Sequence, residues 1–349
     1  MAPAEPAVPE KMSAWQYSKR GGGAEALQLN ESAPVPKPGR GEVLVKVSAA
    51  SINPVDWKMQ NGYIPILPLR YPATPGMDLA GDVVGLGPGV TKYKVGDSVF
   101  GSASPFKLGA LAQYAVLTAA GSAPRPASIP PEVAAALPIA GRTALQALRD
   151  FAGLPLPATP DADTKNDYSG RVLVANASGG VGHLAVQLAK MTGAHVTATV
   201  GARNFDFARK LGADELLDYK TEAGQRLSAS ADTPLPSSDL YNAVVDGTHG
   251  LSVATVDRVL RPDGKWLHLT PPPSIMALGL WRCVAFRPKK VHSILMEAKG
   301  SDLEILAKMV VEEKLKVTLD ATVPFEKVRD AWARSMEGHV VGKVVVKMD

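Results

Sequence analysis

The chain has 349 residues, 46% hydrophobic and 21% charged, with 38 Lys and Arg against 34 Asp and Glu for a net charge of +4. That length carries two full hydrophobic cores; the balance excludes a disordered or fibrous protein, and basicity this mild and scattered gives no support for nucleic-acid binding. A lone cysteine, Cys283, permits no intrachain disulfide and no zinc site built on several thiolates, and no apolar run reaches the roughly twenty residues of a membrane span.

In chain order, the opening MAPAEPAVPE reads as a flexible tail over residues 1–11, without the arginine or apolar stretch of a transit or signal peptide. From Met12 to about Pro130, short alternating runs such as Val43, Val45 and Val47 are broken by Gly and Pro, which predicts a mostly β domain with a partly closed barrel. Ser51 to Lys58 interrupts it: Asn53-Pro54 starts a turn or short helix that would present Asn53, Asp56 and Lys58 as polar groups at the barrel's edge. A helix is predicted from Pro131 to about Ala152, then a Pro- and Asp-rich surface loop from Leu154 to Ser169. From Gly170 strands and helices alternate as in a doubly wound α/β domain, with a polar loop at Ser228 to Asp239. The final strands and helices, from about 297, are expected to return to the first domain, because a third core would be small. This gives domains of 12–140 with 297–349, and 141–296.

The densest signal is RVLVANASGGVGHLAVQLAKMTG, from Arg171 to Gly193. An aliphatic strand turns through Ser178, Gly179, Gly180, Val181 and Gly182 into a helix, and His195 to Val200 supplies a second strand. Glycines there let backbone N–H groups at the helix's positive end approach a pyrophosphate. The acidic residue that binds a ribose 2′-hydroxyl is missing after the second strand, which instead runs into Gly201, Ala202, Arg203 and Asn204. A carboxylate would repel a 2′-phosphate whereas Arg203 can meet it, so the cofactor expected is NADPH; a solvated arginine in a turn is the other reading. Tyr219 could lie beside the same ribose, or simply pack there.

The six histidines are dispersed, and none pairs with a cysteine or another histidine at ligand spacing. No metal site is expected, and each histidine reads as structural. Hydride transfer to a conjugated acceptor then needs donors for a developing oxyanion, for which Asn53, Lys58 and Tyr63 are the candidates. Ser274 to Lys290, rich in Met, Leu, Trp and Phe with trailing cations, could touch a membrane surface, cover a substrate or form a dimer face.

The strings SINPVDWK (51–58), PGMDLAGDVV (75–84), KVGDSV (94–99), AALPIAGRTA (135–144), ASGGVG (177–182), LGADELLDYK (211–220) and GKVVV (342–346) resemble, collinearly over nearly the whole chain, the zinc-lacking quinone oxidoreductase branch of the medium-chain dehydrogenases/reductases. The resemblance implies a GroES-like barrel, a Rossmann domain, and a cleft holding NADPH against Lys58, Thr143, Gly179 to Gly182, Gly201 to Asn204 and Tyr219. It implies reduction of the carbon–carbon double bond of α,β-unsaturated carbonyls, including long-chain oxidised fatty-acid γ-ketols, with quinones a weaker expectation. A cofactor-binding protein with a structural or regulatory role is the remaining alternative. Where zinc-containing relatives place a cysteine ligand this chain has Asn53, and where they place Gly-His-Glu it has Gly76-Met77-Asp78. By the same resemblance the address is the chloroplast, peripheral on the inner envelope, and otherwise the cytoplasm; monomer or homodimer stays open.

Overall fold

The structure, a computed structural model, describes residues 8–63, 69–227, 238–248, 251–270, 273–284 and 290–348. Residues 1–7 of the expected tail, 228–237 of the expected polar loop, and His249 lie outside them. The chain divides into two units: Met1–Ile139 with Ala298–Asp349, and Ala140–Glu297.

In the first unit the alternating segments form antiparallel strands. β1 (Lys11–Gln16) pairs with β2 (Gln28–Pro34), and β3 (Glu42–Ile52) pairs along one edge with β4 (Asp78–Leu86). β5 (Ser98–Ser102) follows β4 in the sheet, β6 (Tyr114–Thr118) lies along β3, and β7 (Ser122–Pro124) pairs with β5. Register shifts between Leu44 and Val45 and between Val47 and Ala49 bend the β3–β4 ribbon, as bulges do. Gly81 permits the close approach, since a Cβ there would stand 2.0 Å from the Lys46 carbonyl oxygen.

α1 (Pro54–Gln60) leaves β3 at once, because Pro54 is pre-set for the first helical turn and Asn53 stays extended as N-cap. Its end is clamped: Gln60 Nε2 donates to Gly23 O at 2.8 Å and Gln60 Oε1 accepts from Trp332 Nε1 at 3.0 Å. α2 (Pro131–Ala135) and α3 (Pro138–Gln146) replace the single helix expected over 131–152. Pro138 has no N–H with which to continue the first helix, so it starts a second, which widens into a π turn at Ala147–Ala152 and stops at Gly153, φ 78°.

The second unit is a six-stranded parallel sheet of β8 (Arg171–Ala175), β9 (His195–Val200), β10 (Glu215–Asp218), β11 (Tyr241–Asp246), β12 (Leu260–His268) and β13 (Lys290–Ser293). The spatial order β10-β9-β8-β11-β12-β13 is that of a doubly wound Rossmann fold, whose direction reverses beside β8. Val172, Leu173 and Val174 are fully buried, as a parallel strand covered on both faces requires. Between the strands run α4 (Gly182–Met191), α5 (Phe205–Lys210), α6 (Glu222–Arg226), α7 (Val253–Val259) and α8 (Pro273–Val284). α8 exposes Met276, Leu280 and Trp281 while Leu278 packs inward. Residues 285–289 of the stretch considered for membrane contact, including Phe286, lie outside the described residues.

From Ala298 the chain returns to the first unit through α9 (Gly300–Val311), β14 (Leu319–Pro324), α10 (Val328–Met336) and β15 (Lys343–Lys347). β15 pairs antiparallel with β3, from Val344 opposite Ile52 to Lys347 opposite Ala49, giving a sheet of order β14-β15-β3-β4-β5-β7 with β6 on β3. Trp15, Val45, Leu79, Leu117, Trp332 and Val346 share its core.

Candidate active site

The glycine turn stands at the carboxyl end of β8, the switch point of the second unit. Asn176 takes a left-handed conformation, φ 60°, which asparagine tolerates better than most side chains. Ala177 N then donates to Thr199 O at 3.1 Å and Gly179 N to Asn176 O at 3.0 Å, folding the turn back on β9. Gly182 cannot carry a side chain: a Cβ would lie 2.2 Å from Asn176 O and 2.8 Å from Ala177 Cα. His183 is fully buried with Nδ1 3.0 Å from Gly179 O, a bond that braces the turn. Among the described residues the N–H groups of Gly180 and Val181 have no backbone acceptor, and they open the positive end of α4. Unsatisfied donors at a helix start fit the pyrophosphate of a dinucleotide.

The turn after β9 sits beside this cradle. Asn204 Nδ2 donates to Ser178 Oγ at 3.2 Å, tying the two turns together, and Asn204 N donates to Gly201 O at 2.8 Å. The Tyr219 ring stands over Gly201, where a Cβ would meet it at 3.4 Å. Ala202 and Arg203 are exposed on the turn Ala202–Asn204, and Arg203 has no hydrogen-bond or ion-pair partner among the described residues. Lys220, which the sequence reading did not single out, places its Nζ 6.0 Å from the Tyr219 ring. So Ser178, Gly201, Arg203, Asn204 and Tyr219 form one neighbourhood. Thr143 is buried on α3, next to the fully buried Arg142.

A second polar group at the same sheet edge also escaped the sequence reading. Asp246, which ends β11, is fully buried; its Oδ1 accepts from Thr248 N and Thr248 Oγ1, both at 2.8 Å, and its Oδ2 from Trp266 Nε1 at 3.1 Å. His268, which ends β12, places Nε2 3.7 Å from Asp246 Oδ2, and its Nδ1 accepts from Thr270 N at 3.3 Å. That acceptor role assigns the proton of a neutral ring to Nε2, facing Asp246. The only hint in the sequence is that both residues close apolar strands.

In the first unit Asn53, Asp56 and Lys58, expected as polar groups at the barrel's edge, do share α1 and its cap, but Asn53 and Asp56 are buried. Asn53 is 3% exposed, with its Nδ2 donating to Asp78 Oδ2 at 2.9 Å and its Oδ1 accepting from Lys343 Nζ. Its amide is thus engaged at both ends, which corrects the picture of a free oxyanion donor at the barrel's edge. Asp56 Oδ2 accepts from Asn53 N at 2.7 Å, while Oδ1 is buried without a partner among the described residues. Burial pushes the Asp56 carboxyl up to about 7, with Asp78 adding to the rise and the Asn53 N–H opposing it. Lys58 is half-buried with Nζ 5.6 Å from the Trp57 ring, and burial pushes its ammonium below the ordinary lysine range. Tyr63, just past α1, is 71% exposed, and its N–H donates to Lys58 O at 2.9 Å. Met59, Met77 and Leu108 form a buried apolar cluster, with Val55, Leu69 and Ile139 packed against them.

Residues 39–127 match the alcohol dehydrogenase GroES-like domain, and residues 211–346 the zinc-binding dehydrogenase domain. The chain is 43% identical over 337 residues to a chloroplast envelope quinone oxidoreductase homologue of Arabidopsis thaliana, covering 96% of this chain and 98% of that one. It is 32% identical over 353 residues to an NADPH-dependent alkenal/one oxidoreductase, chloroplastic, of the same plant, covering 98% and 81%. Among solved structures, the quinone oxidoreductase from Coxiella burnetii superposes with a TM-score of 0.83 at 28% identity, covering 97% of this chain and 100% of that one. The zinc in one domain's description does not fit the donors present. Asn53, Met77 and Asp78 offer an amide, a thioether and a carboxylate already hydrogen-bonded, and no three His, Cys, Asp or Glu converge among the described residues. With a dinucleotide cradle in a Rossmann unit, a GroES-like partner unit and relatives alike over nearly the full length, the chain belongs to the quinone oxidoreductase branch of the medium-chain dehydrogenases/reductases and is a nicotinamide-dependent oxidoreductase.

Proposed function

We propose that the chain is an NADPH-dependent, zinc-independent reductase of the carbon–carbon double bond of α,β-unsaturated carbonyls. The observation that carries the cofactor choice is Arg203, exposed and without a partner among the described residues, beside Gly201 and Tyr219, where no carboxylate ends β9. The N–H groups of Gly180 and Val181 would hold the pyrophosphate, Arg203 the 2′-phosphate with Lys220 nearby, and Tyr219 would flank the ribose. NADPH, when bound, supplies the hydride.

The remaining chemistry belongs to side chains. Reduction at the β-carbon moves charge to the carbonyl oxygen, and a donor that meets this oxygen lowers the barrier. Lys58, half-buried on α1, is the donor we assign. Asn53 supports Lys58 from within, and the α-carbon takes its proton from solvent or from the exposed Tyr63. The relative that bears the alkenal/one name supports the enone reading.

A second reading, NADPH-dependent quinone reduction, is favoured by the relatives that carry that name. Steady-state rates with a medium-chain enone and a benzoquinone separate the two, and a large quinone preference would reverse the order. The chloroplast address of the same relatives is proposed for this chain as well, and a fluorescent fusion that fails to enter plastids would sink it.

A further inference from the structure

A buried ammonium in the first unit is held by oxygen atoms from separate stretches of chain. Lys343 opens β15, is 3% exposed, and donates through Nζ to Asn53 Oδ1 and, at 3.3 Å, to Ile52 O. Burial pushes the Lys343 ammonium below the ordinary lysine range, and the carboxyl groups of Asp78 and Asp56, 0% and 2% exposed, oppose that fall by attracting it. Asp78 also accepts from Asn53 Nδ2 at 2.9 Å and from Ile139 N at 3.1 Å, and Asp56 accepts from Asn53 N at 2.7 Å. A carbonyl, an amide oxygen and nearby carboxylates are the surroundings that proteins build for a hard cation.

We propose that Lys343 is the resident cation of this site, a covalently held ammonium that fixes the Asn53 amide and through it the start of α1, which carries Lys58. The geometry requires one orientation of that amide. With Oδ1 on the ammonium and Nδ2 on Asp78 both contacts are attractive; flipped, an NH2 would face a cation and an oxygen would face a carboxylate. Lys343 is therefore a positioning residue, acting through Asn53 and α1 and touching neither acceptor nor cofactor. Only its activity readout rests on the reductase reading.

Lys343→Met removes the charge and keeps most of the bulk. The expected result is a kcat for enone reduction lowered at least tenfold with the NADPH Kd, read by fluorescence titration, within twofold, and a lowered Tm. In Lys343→Ala, methylammonium raises both Tm and kcat, and tetramethylammonium at equal ionic strength raises neither. If Lys343→Met does not fold, Asp78→Asn/Lys343→Met, which loses both charges, folds. Wild-type Tm and kcat in Lys343→Met, no response of folded Lys343→Ala to methylammonium, failure of the double variant to fold, or a zinc-dependent gain in wild-type kcat would each overturn the proposal. The Tm arms need no turnover, so a wild-type protein inactive on enones would sink the functional reading and leave this one standing or falling on its own.

Discussion

Arg203 and Asp56 are opposite cases of an ionisable group in its surroundings, one exposed and, among the described residues, unengaged, the other buried. For Arg203 a charge-assisted bond to a 2′-phosphate contributes about 1.5–3 kcal/mol. Arg203→Ala should therefore weaken NADPH roughly ten- to a hundredfold and leave NADH within twofold; equal losses would show that Arg203 does not discriminate. Asp56 faces Asp78, Lys343 and Tyr17, and its folded pKa of about 7 lies above the ordinary carboxyl value of roughly 3.9. Folding thus favours the protonated form, whose contribution is complete below about pH 4 and is lost as pH rises toward 7. With Asp56 neutral the cluster holds one ammonium against one carboxylate. Asp56→Asn should flatten the decline of Tm between pH 4 and 7, and an unchanged decline would assign it to other groups. Arg203 was readable in the sequence because its place follows directly from the end of β9. The burial of Asn53 was not, since the partner that satisfies its amide oxygen lies 290 positions away.

The glycine turn shows an element fully specified by local chemistry. β8, the turn and α4 each have a pattern in the sequence, and the close packing of Gly182 on Asn176 O needs only residues of the turn itself. Gly182→Ala would force that backbone apart, so we expect a Tm lower by several degrees and NADPH binding weakened more than tenfold. Wild-type values of both would remove the turn from the site. By contrast, the π turn after α3 follows from packing that no periodicity encodes. The Asp246–His268 pair was hidden for another reason: its members lie in different strands and meet only through the register of β11 on β12.

For the whole molecule, the contiguous second unit was legible as alternating strands and helices, and the first as a partly closed barrel to which the chain's end returns, but the pairing of β15 on β3 was not, because it is a register between residues far apart in sequence. On the second unit's surface, α8 turns Met276, Leu280 and Trp281 outward, an apolar face suited to a membrane surface. Trp281→Ser should reduce flotation with anionic liposomes, and equal flotation of the two proteins would dismiss that contact. A chain stopped before β14 should retain a cooperative unfolding transition from the second unit and lose the one from the first; retention of both would show that β3 does not need β15. The same topology orders events on the ribosome. Residues Ala140–Glu297 emerge as a block able to fold while β3 still waits for its neighbour, and Asn53 waits for Lys343. The dinucleotide cradle can therefore form during synthesis, but α1 receives its internal counter-charge only after β15 has been made, so an interrupted translation product could bind nucleotide without being able to use it.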